Sequence, residues 1–315
     1  MKGQSTFYLF VLIIFAPLWS DAQNLQRVEP TAEEIRYVGR FSDEFASQWS
    51  GSSLSLQFEG STLIAHLQST SLTGYEVILN GKKSFLLVDP QQTRYVLAKD
   101  LPEDQLHSVT LFRRSEATFG PIHFLGFEVE EGSRLQRPSE ASRRMLFIGD
   151  SITCGYANET LDRNQGNTAE NQNGYLSYAA ITARAFDADV HMICWSGRGL
   201  YRNRMLKFET HETMPKMFDR TLPVDSRGDW DSESYIPDIV VINLGVNDST
   251  TRQGQKPELQ KEDFVKTYQQ FLRRIRKQAP QSTLFLTLGP AGETPITQEW
   301  FQEIAATFED THILI

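Results

Sequence analysis

Gly149-Asp150-Ser151-Ile152-Thr153, Ser196-Gly197-Arg198-Gly199 and Gly245-Val246-Asn247-Asp248 stand in that order along the chain, each directly after an apolar run. A serine is a feeble nucleophile unless its hydroxyl is exposed, a base takes its proton, and donors await the oxyanion it creates. Ser151 meets the first demand, since it follows a buried strand and opens a helical or irregular turn, and its own N–H is one oxyanion donor. Gly197 ends the neighbouring strand, where the missing side chain lets its N–H approach a substrate. Asn247 ends the next strand with a side-chain amide. Three donors then converge on one oxygen, the arrangement that acyl transfer from an ester requires. Plainer readings exist: Ser151 as a helix N-cap, Asn247-Asp248 as turn residues. The three blocks together, each after a strand, favour nucleophile and oxyanion hole. Asp150 reads as structural, tying down its turn, and Gly199 as closing the second turn.

The elements that must position these blocks follow from hydrophobic rhythm. Residues Val38 to Val129 alternate in short runs broken by Gly, Asn and Asp, among them Ser53–Phe58, Tyr75–Leu79, Ser84–Val88, Val109–Phe112 and Phe124–Val129, which predicts an all-β sandwich of jelly-roll type. Asn80-Gly81 between two such runs is a hairpin signal, because both central residues of a type I′ turn need positive φ. After a linker at 136–144 the rhythm changes to apolar strand and amphipathic helix in alternation. Met145–Ile148, Val190–Ile193, Ile239–Ile242, Leu284–Leu286 and His312–Ile315 read as parallel strands. A helix is expected from Tyr175 to Phe186, a less regular helical stretch from Tyr201, a helix with Phe264, Val265, Tyr268, Phe271, Leu272 and Ile275 on one face, and another carrying Trp300, Phe301, Ile304 and Phe308. The expected architecture is a three-layer, flavodoxin-like α/β domain over residues 145–315, preceded by the jelly roll over 23–135. Polar insertions at Glu159–Asn173 and Met205–Tyr235 follow the first two blocks, at the sheet edge where such folds place ligands.

Residues 1–22 read as a secretory signal, with Lys2, an apolar stretch from Phe7 to Leu18 and the small residues Ser20 and Ala22. The stretch is shorter than the roughly 18 residues that span a membrane. A secreted or periplasmic monomer with no membrane anchor is expected. The net charge of −9 disfavours nucleic acid as a partner. Cys154 and Cys194 are the whole cysteine complement, too few for a disulfide framework. A bridge between them stays open.

The three blocks resemble those of the SGNH (GDSL-type) hydrolases, whose motifs supply Ser, Gly and Asn. Those roles map onto Ser151 as nucleophile and Ser151, Gly197 and Asn247 as the oxyanion hole. More narrowly, an N-terminal jelly roll, Gly-Asp-Ser-Ile-Thr-Cys-Gly-Tyr at 149–156 and Ser-Gly-Arg-Gly-Leu-Tyr-Arg-Asn at 196–203 are similar to carbohydrate esterase family 2. The resemblance implies removal of acetyl groups from plant polysaccharides such as xylan or glucomannan, often at primary 6-O positions, with no metal and no cofactor. It also implies a base from an Asp-x-His or Asp-x-x-His block after the last strand, so the catalytic histidine is expected beyond Ile315. A chain without it is expected to turn over about two to four orders of magnitude more slowly.

The six histidines present are weighed against that role. His66, His107 and His123 lie in the β region and His191 inside a strand, where packing or surface roles are the default. Asp310-Thr311-His312 has the right spelling but lies at the opposite edge of the sheet, roughly 16 Å from the serine across a five-residue strand. His211, in the second insertion, is a weak surrogate. Arg198, Tyr201 and Arg202 are candidate contacts for sugar hydroxyls, and Trp195 and Trp230 candidate stacking platforms. Two further functions stay open: a carbohydrate-binding relative that lost the base, and a lipase or thioesterase, which the jelly roll and polar insertions disfavour.

Overall fold

The computed structural model describes residues 24–162, 164–204, 212–226, 230–249, 258–289, 294–308 and 310–314. The first eleven strands are β1 (Leu25–Val28), β2 (Arg36–Val38), β3 (Ala46–Ser47), β4 (Ser53–Glu59), β5 (Leu63–Ser69), β6 (Thr73–Leu79), β7 (Lys82–Val88), β8 (Arg94–Ala98), β9 (Leu106–Arg113), β10 (Ile122–Glu130) and β11 (Leu135–Gln136). They form two antiparallel sheets, β1-β10-β5-β8 and β4-β9-β6-β7, with β3 beside β10 and with β2 and β11 beside β4. This is the strand order of a jelly roll. Alternate residues of the two sheets, among them Leu54, Leu56, Phe58, Tyr75, Leu111, Phe124 and Phe127, close the core between them. The β6–β7 hairpin turns at Asn80 and Gly81, whose φ values of 51° and 78° are the positive pair the turn requires.

The parallel sheet comprises β12 (Arg143–Gly149), β13 (Ala188–Cys194), β14 (Ile239–Asn243), β15 (Thr283–Thr287) and β16 (Thr311–Leu314), in the order β13-β12-β14-β15-β16. β12 therefore lies between β13 and β14, and its register sets Gly149 level with Cys194 and Asn243. The strand order reverses at β12, and ligand sites of such sheets form at that switch point. α5 (Lys261–Gln278) buries the six apolar residues expected of it against one face. α6 (Gln298–Ala305) ends before Phe308, which still packs on the same core. On the other face lies α2 (Tyr178–Ala185), preceded by a separate 3-10 turn at Gly174–Leu176, so the single helix expected from Tyr175 is two pieces divided at the extended Ser177.

The stretch from Tyr201 is not helical through Arg204. The described helices of that insertion are one turn each, α3 (Met214–Met217) and a 3-10 turn at Ser232–Ser234.

The two halves are packed together. Trp49 of the sandwich joins the core on the α5 face of the parallel sheet, and Phe112 joins the core on the α2 face. The Trp49 indole donates to Arg220 O at 3.1 Å, and Gly39 N–H donates to His191 Nε2 at 2.9 Å. Burial holds the His191 imidazole well below its ordinary pKa, so it stays a neutral acceptor, stacked 3.4 Å from the Tyr235 ring. Among the described residues no helix is long and apolar enough to cross a membrane. Residues 1–22 lie outside them. Cys154 and Cys194 are both buried, free thiols, and no bridge joins them.

Candidate active site

All three blocks come together at the C-terminal ends of β13, β12 and β14. Asp150 caps α1 (Ser151–Cys154), its Oδ1 accepting from Ile152 N–H at 3.0 Å. Ser151 is thus the first residue of a one-turn helix that follows β12. Its hydroxyl makes no hydrogen bond to any described residue, and Ser151 lines a cavity of about 620 Å³ together with Ile152, Tyr156, Tyr178, Leu288 and Leu314. The second block is a tight turn in which Arg198 N–H donates to Trp195 O at 3.2 Å. Gly197 takes φ +78° there, a conformation that glycine adopts without strain, and a Cβ in its place would meet nothing within 4 Å.

Hydrogen bonds among the blocks fix their relative positions. Asn247, on the short helix α4 (Val246–Ser249), donates its amide to Asp150 Oδ2 at 3.0 Å and to Arg198 O at 2.9 Å. It therefore links the first block to the second. The sequence had suggested an amide aimed into the cleft; in this structure both amide protons are directed at protein acceptors. Asp248 is fully buried, and its carboxylate accepts N–H bonds from Leu200 at 2.9 Å, Tyr201 at 2.7 Å and Arg202 at 3.0 Å. The plain reading of Asn247-Asp248 as turn residues missed this grip. The signal available for it was an acidic residue next to Asn247 at a strand end, facing a glycine-rich loop short of acceptors.

Glu116 was also missed. It comes from the β9–β10 connection of the sandwich, is 1% exposed, and accepts Ser196 N–H at 2.7 Å. Thr118 of the same connection accepts the Trp195 indole N–H at 2.8 Å. The charged run Arg113-Arg114-Ser115-Glu116 at the end of an apolar strand was the available hint, since charges seldom cluster there without partners.

Burial raises the Asp150 carboxyl to about 7, helped by the neighbouring Asp248 and Glu116 carboxylates. A folded value above the unfolded one means that, as pH rises from about 4 to about 7, the unfolded chain releases this proton while the native state keeps it. Stability should fall as pH rises through that window, by on the order of 4 kcal/mol for this group. Asp150→Asn keeps a cap acceptor and removes the titration. Its urea midpoint should change less between pH 5 and pH 8 than that of the wild type, and an unaltered pH slope would refute the assignment.

The remaining candidates fall into two groups. Arg198 stacks on the Trp195 ring at 4.4 Å beside the second block, and Tyr201 is exposed. Arg202 instead is buried and donates to Asp248 O at 2.8 Å, a structural contact. Trp230 packs 5.8 Å from His191 at the domain interface, away from the blocks. Among the histidines, His66 bonds Glu128 at 2.8 Å and His107 bonds Asn80 at 2.9 Å. His312 lies one residue inside β16, paired in register with Phe285, where the sequence had put it at the strand's start. That places it level with Phe147, four residues before Ser151 and three strands across, about 14 Å sideways alone. His211 lies outside the described residues. Among the described residues no group of three or more His, Cys, Asp or Glu could hold a metal ion.

Comparison with known proteins places this geometry in a family. Residues 37–138 match the carbohydrate esterase 2 N-terminal family, and residues 147–312 match the GDSL-like lipase/acylhydrolase family. The chain is 36% identical over 277 residues to the cellulase/esterase CelE of Acetivibrio thermocellus, covering 85% of this chain and 33% of that protein. It is 31% identical over 244 residues to an acetylxylan esterase / glucomannan deacetylase of Cellvibrio japonicus, covering 76% of this chain and 65% of that one. The chain thus spans between a third and two thirds of the length of these curated relatives. A solved structure of a family two carbohydrate esterase from Clostridium thermocellum, in complex with cellohexaose, superposes with a TM-score of 0.81 at 31% identity, covering 89% of this chain and 87% of that one. With the jelly roll and all three blocks lying inside the matched residues, this chain belongs to carbohydrate esterase family 2 of the GDSL-type acylhydrolases.

Proposed function

We propose that this protein is an exported carbohydrate acetylesterase that removes O-acetyl groups from plant polysaccharides such as xylan or glucomannan. The observation that carries the reading is Ser151 at the head of α1, its hydroxyl bonded to no described residue, with Gly197 on the adjoining turn. Ser151 Oγ attacks the acetyl carbonyl. The N–H groups of Ser151 and Gly197 hold the oxyanion, and Asn247 joins them by exchanging its bond to Arg198 O or Asp150 for one to that oxygen. Collapse of the tetrahedral intermediate frees the sugar hydroxyl and leaves an acetyl-Ser151 ester, which water then hydrolyses to acetate. The general base is the histidine that the family resemblance puts after the last strand. No step calls on a metal or cofactor. The residue 1–22 signal supports export, and the protein acts as a soluble monomer.

The test is acetate release from acetylated xylan and acetylated glucomannan, run beside long-chain acyl lipid esters and beside binding of the deacetylated polymers. Acetate release exceeding lipid hydrolysis supports the reading. Faster lipid hydrolysis would make the protein a lipase on this scaffold, and polymer binding without acetate release would make it a binding protein.

A further inference from the structure

The Gly197 N–H projects from the peptide that joins it to Ser196, so its direction depends on what holds that peptide. Within the α/β half the turn is held by bonds that include Arg198 N–H to Trp195 O, Arg198 O to the Asn247 amide, and Arg204 N–H to Gly197 O at 2.9 Å. Besides the Trp195–Thr118 bond, one more crosses the domain boundary. Glu116 Oε2 accepts Ser196 N–H at 2.7 Å, the bond immediately preceding the Gly197 donor.

Glu116 is a buried carboxylate with no ion pair among the described residues, which is costly unless its oxygens are well used. Oε1 accepts from the Asn167 amide at 3.2 Å, leaving Oε2 aimed at Ser196. The loop that presents it is rigid. Arg113 Nη1 donates to Ser47 O at 2.9 Å, and the buried Arg114 donates to Glu76 Oε2 at 3.1 Å and to Gln172 O at 2.9 Å. Arg114 thereby also fixes the polar insertion after the first block. The groups facing Glu116 are Cys154 and Asp150 from the nucleophile turn, Ser196 and Arg198 from the second turn, and Asn167 from the insertion.

We propose that Glu116 is the positioning residue of the Gly197 oxyanion donor, a carboxylate delivered by the β sandwich to fix the Trp195–Ser196 peptide, adjacent to the one from which that N–H projects. The sandwich is then part of the catalytic apparatus. The inference rests on Gly197 serving as a donor to the oxyanion. Only an oxyanion forming in the transition state feels the direction of that N–H, so loss of Glu116 should lower kcat and leave KM nearly alone. Burial raises the Glu116 carboxyl above its ordinary value. Acid then weakens the charge-assisted bond to Ser196, contributing to loss of kcat on the acid side that a glutamine at this position would not show.

The test compares wild type with Glu116→Gln, nearly isosteric, and Glu116→Ala. With acetylated xylo-oligosaccharide, kcat should fall about 10-fold in E116Q and about 100-fold in E116A, with KM within about twofold. In protein labelled with 15N-serine and 15N-glycine, the Ser196 amide proton, identified by its loss in Ser196→Ala, should lie far downfield and move upfield on acidification. In E116Q it should move upfield at all pH values, and the Gly197 resonance should shift with it. An E116Q enzyme with wild-type kcat, or a Ser196 amide indifferent to E116Q, overturns the inference. A wild type that releases no acetate defeats the esterase reading instead, and the amide measurement alone then decides whether Glu116 holds the turn.

Discussion

Replacing Ser151 by alanine is expected to lower acetate release from acetylated xylan by at least about a thousandfold while leaving the fold intact. The size follows from chemistry: without Oγ no acetyl-enzyme forms, and only the slow direct attack of water on an ester held by the oxyanion donors remains. The neutrality for folding follows from position. Ser151 is the first residue of α1, its hydroxyl is bonded to no described residue, and Asp150 supplies the cap. Alanine suits a helix at least as well, so stability should stay within about 0.5 kcal/mol of wild type. The measurement is acetate release at saturating substrate, with a urea melt as control. Retention of more than about a tenth of the activity would remove Ser151 from the mechanism.

The largest expected effect on stability is at Asp248. Asp248→Ala would strand three backbone N–H groups, those of Leu200, Tyr201 and Arg202, of which the first and last bond the carboxylate in a buried site. An unsatisfied buried donor costs about 1–3 kcal/mol, so a total of about 4 kcal/mol or more is expected. That is a large share of the roughly 5–15 kcal/mol by which domains of this kind are stable. Asp248→Asn keeps one acceptor oxygen and should lose about half as much. Equilibrium urea unfolding of both variants checks the order, wild type above Asn above Ala. An Asp248→Ala protein as stable as wild type would mean that the second-block loop is held by other contacts.

What was legible in the sequence, and what was not, divides along a physical line. The central strands were plain because a parallel sheet buried on both faces writes continuous apolar runs, as in Met145–Ile148 and Ile239–Ile242. α5 was plain because its buried face repeats at helical spacing. The blocks were legible because glycine, serine and asparagine at strand ends are few and their order is specific. Short edge strands such as β3 and β11, two residues each, have no room for a period and left no trace. The Asp248 and Glu116 contacts were hidden for a different reason. A carboxylate in a sequence is ordinarily a solvated charge, and only the approach of a distant loop turns it into an acceptor for backbone N–H groups. The orientation of Asn247 was hidden likewise, because nothing in its spacing says that Asp150 and Arg198 O will reach its amide first.

The way the sandwich sits against the parallel sheet bears on how the chain comes apart. Trp49 and Phe112 belong to the cores on opposite faces of that sheet, and His191 takes a backbone proton from Gly39. Neither half can open without exposing apolar surface of the other, so thermal or denaturant unfolding should proceed in one cooperative step rather than two. A protease able to cut between residues 136 and 144 would then release no folded sandwich. The unit that natural selection can shuffle, and that a protein engineer can graft, is the pair.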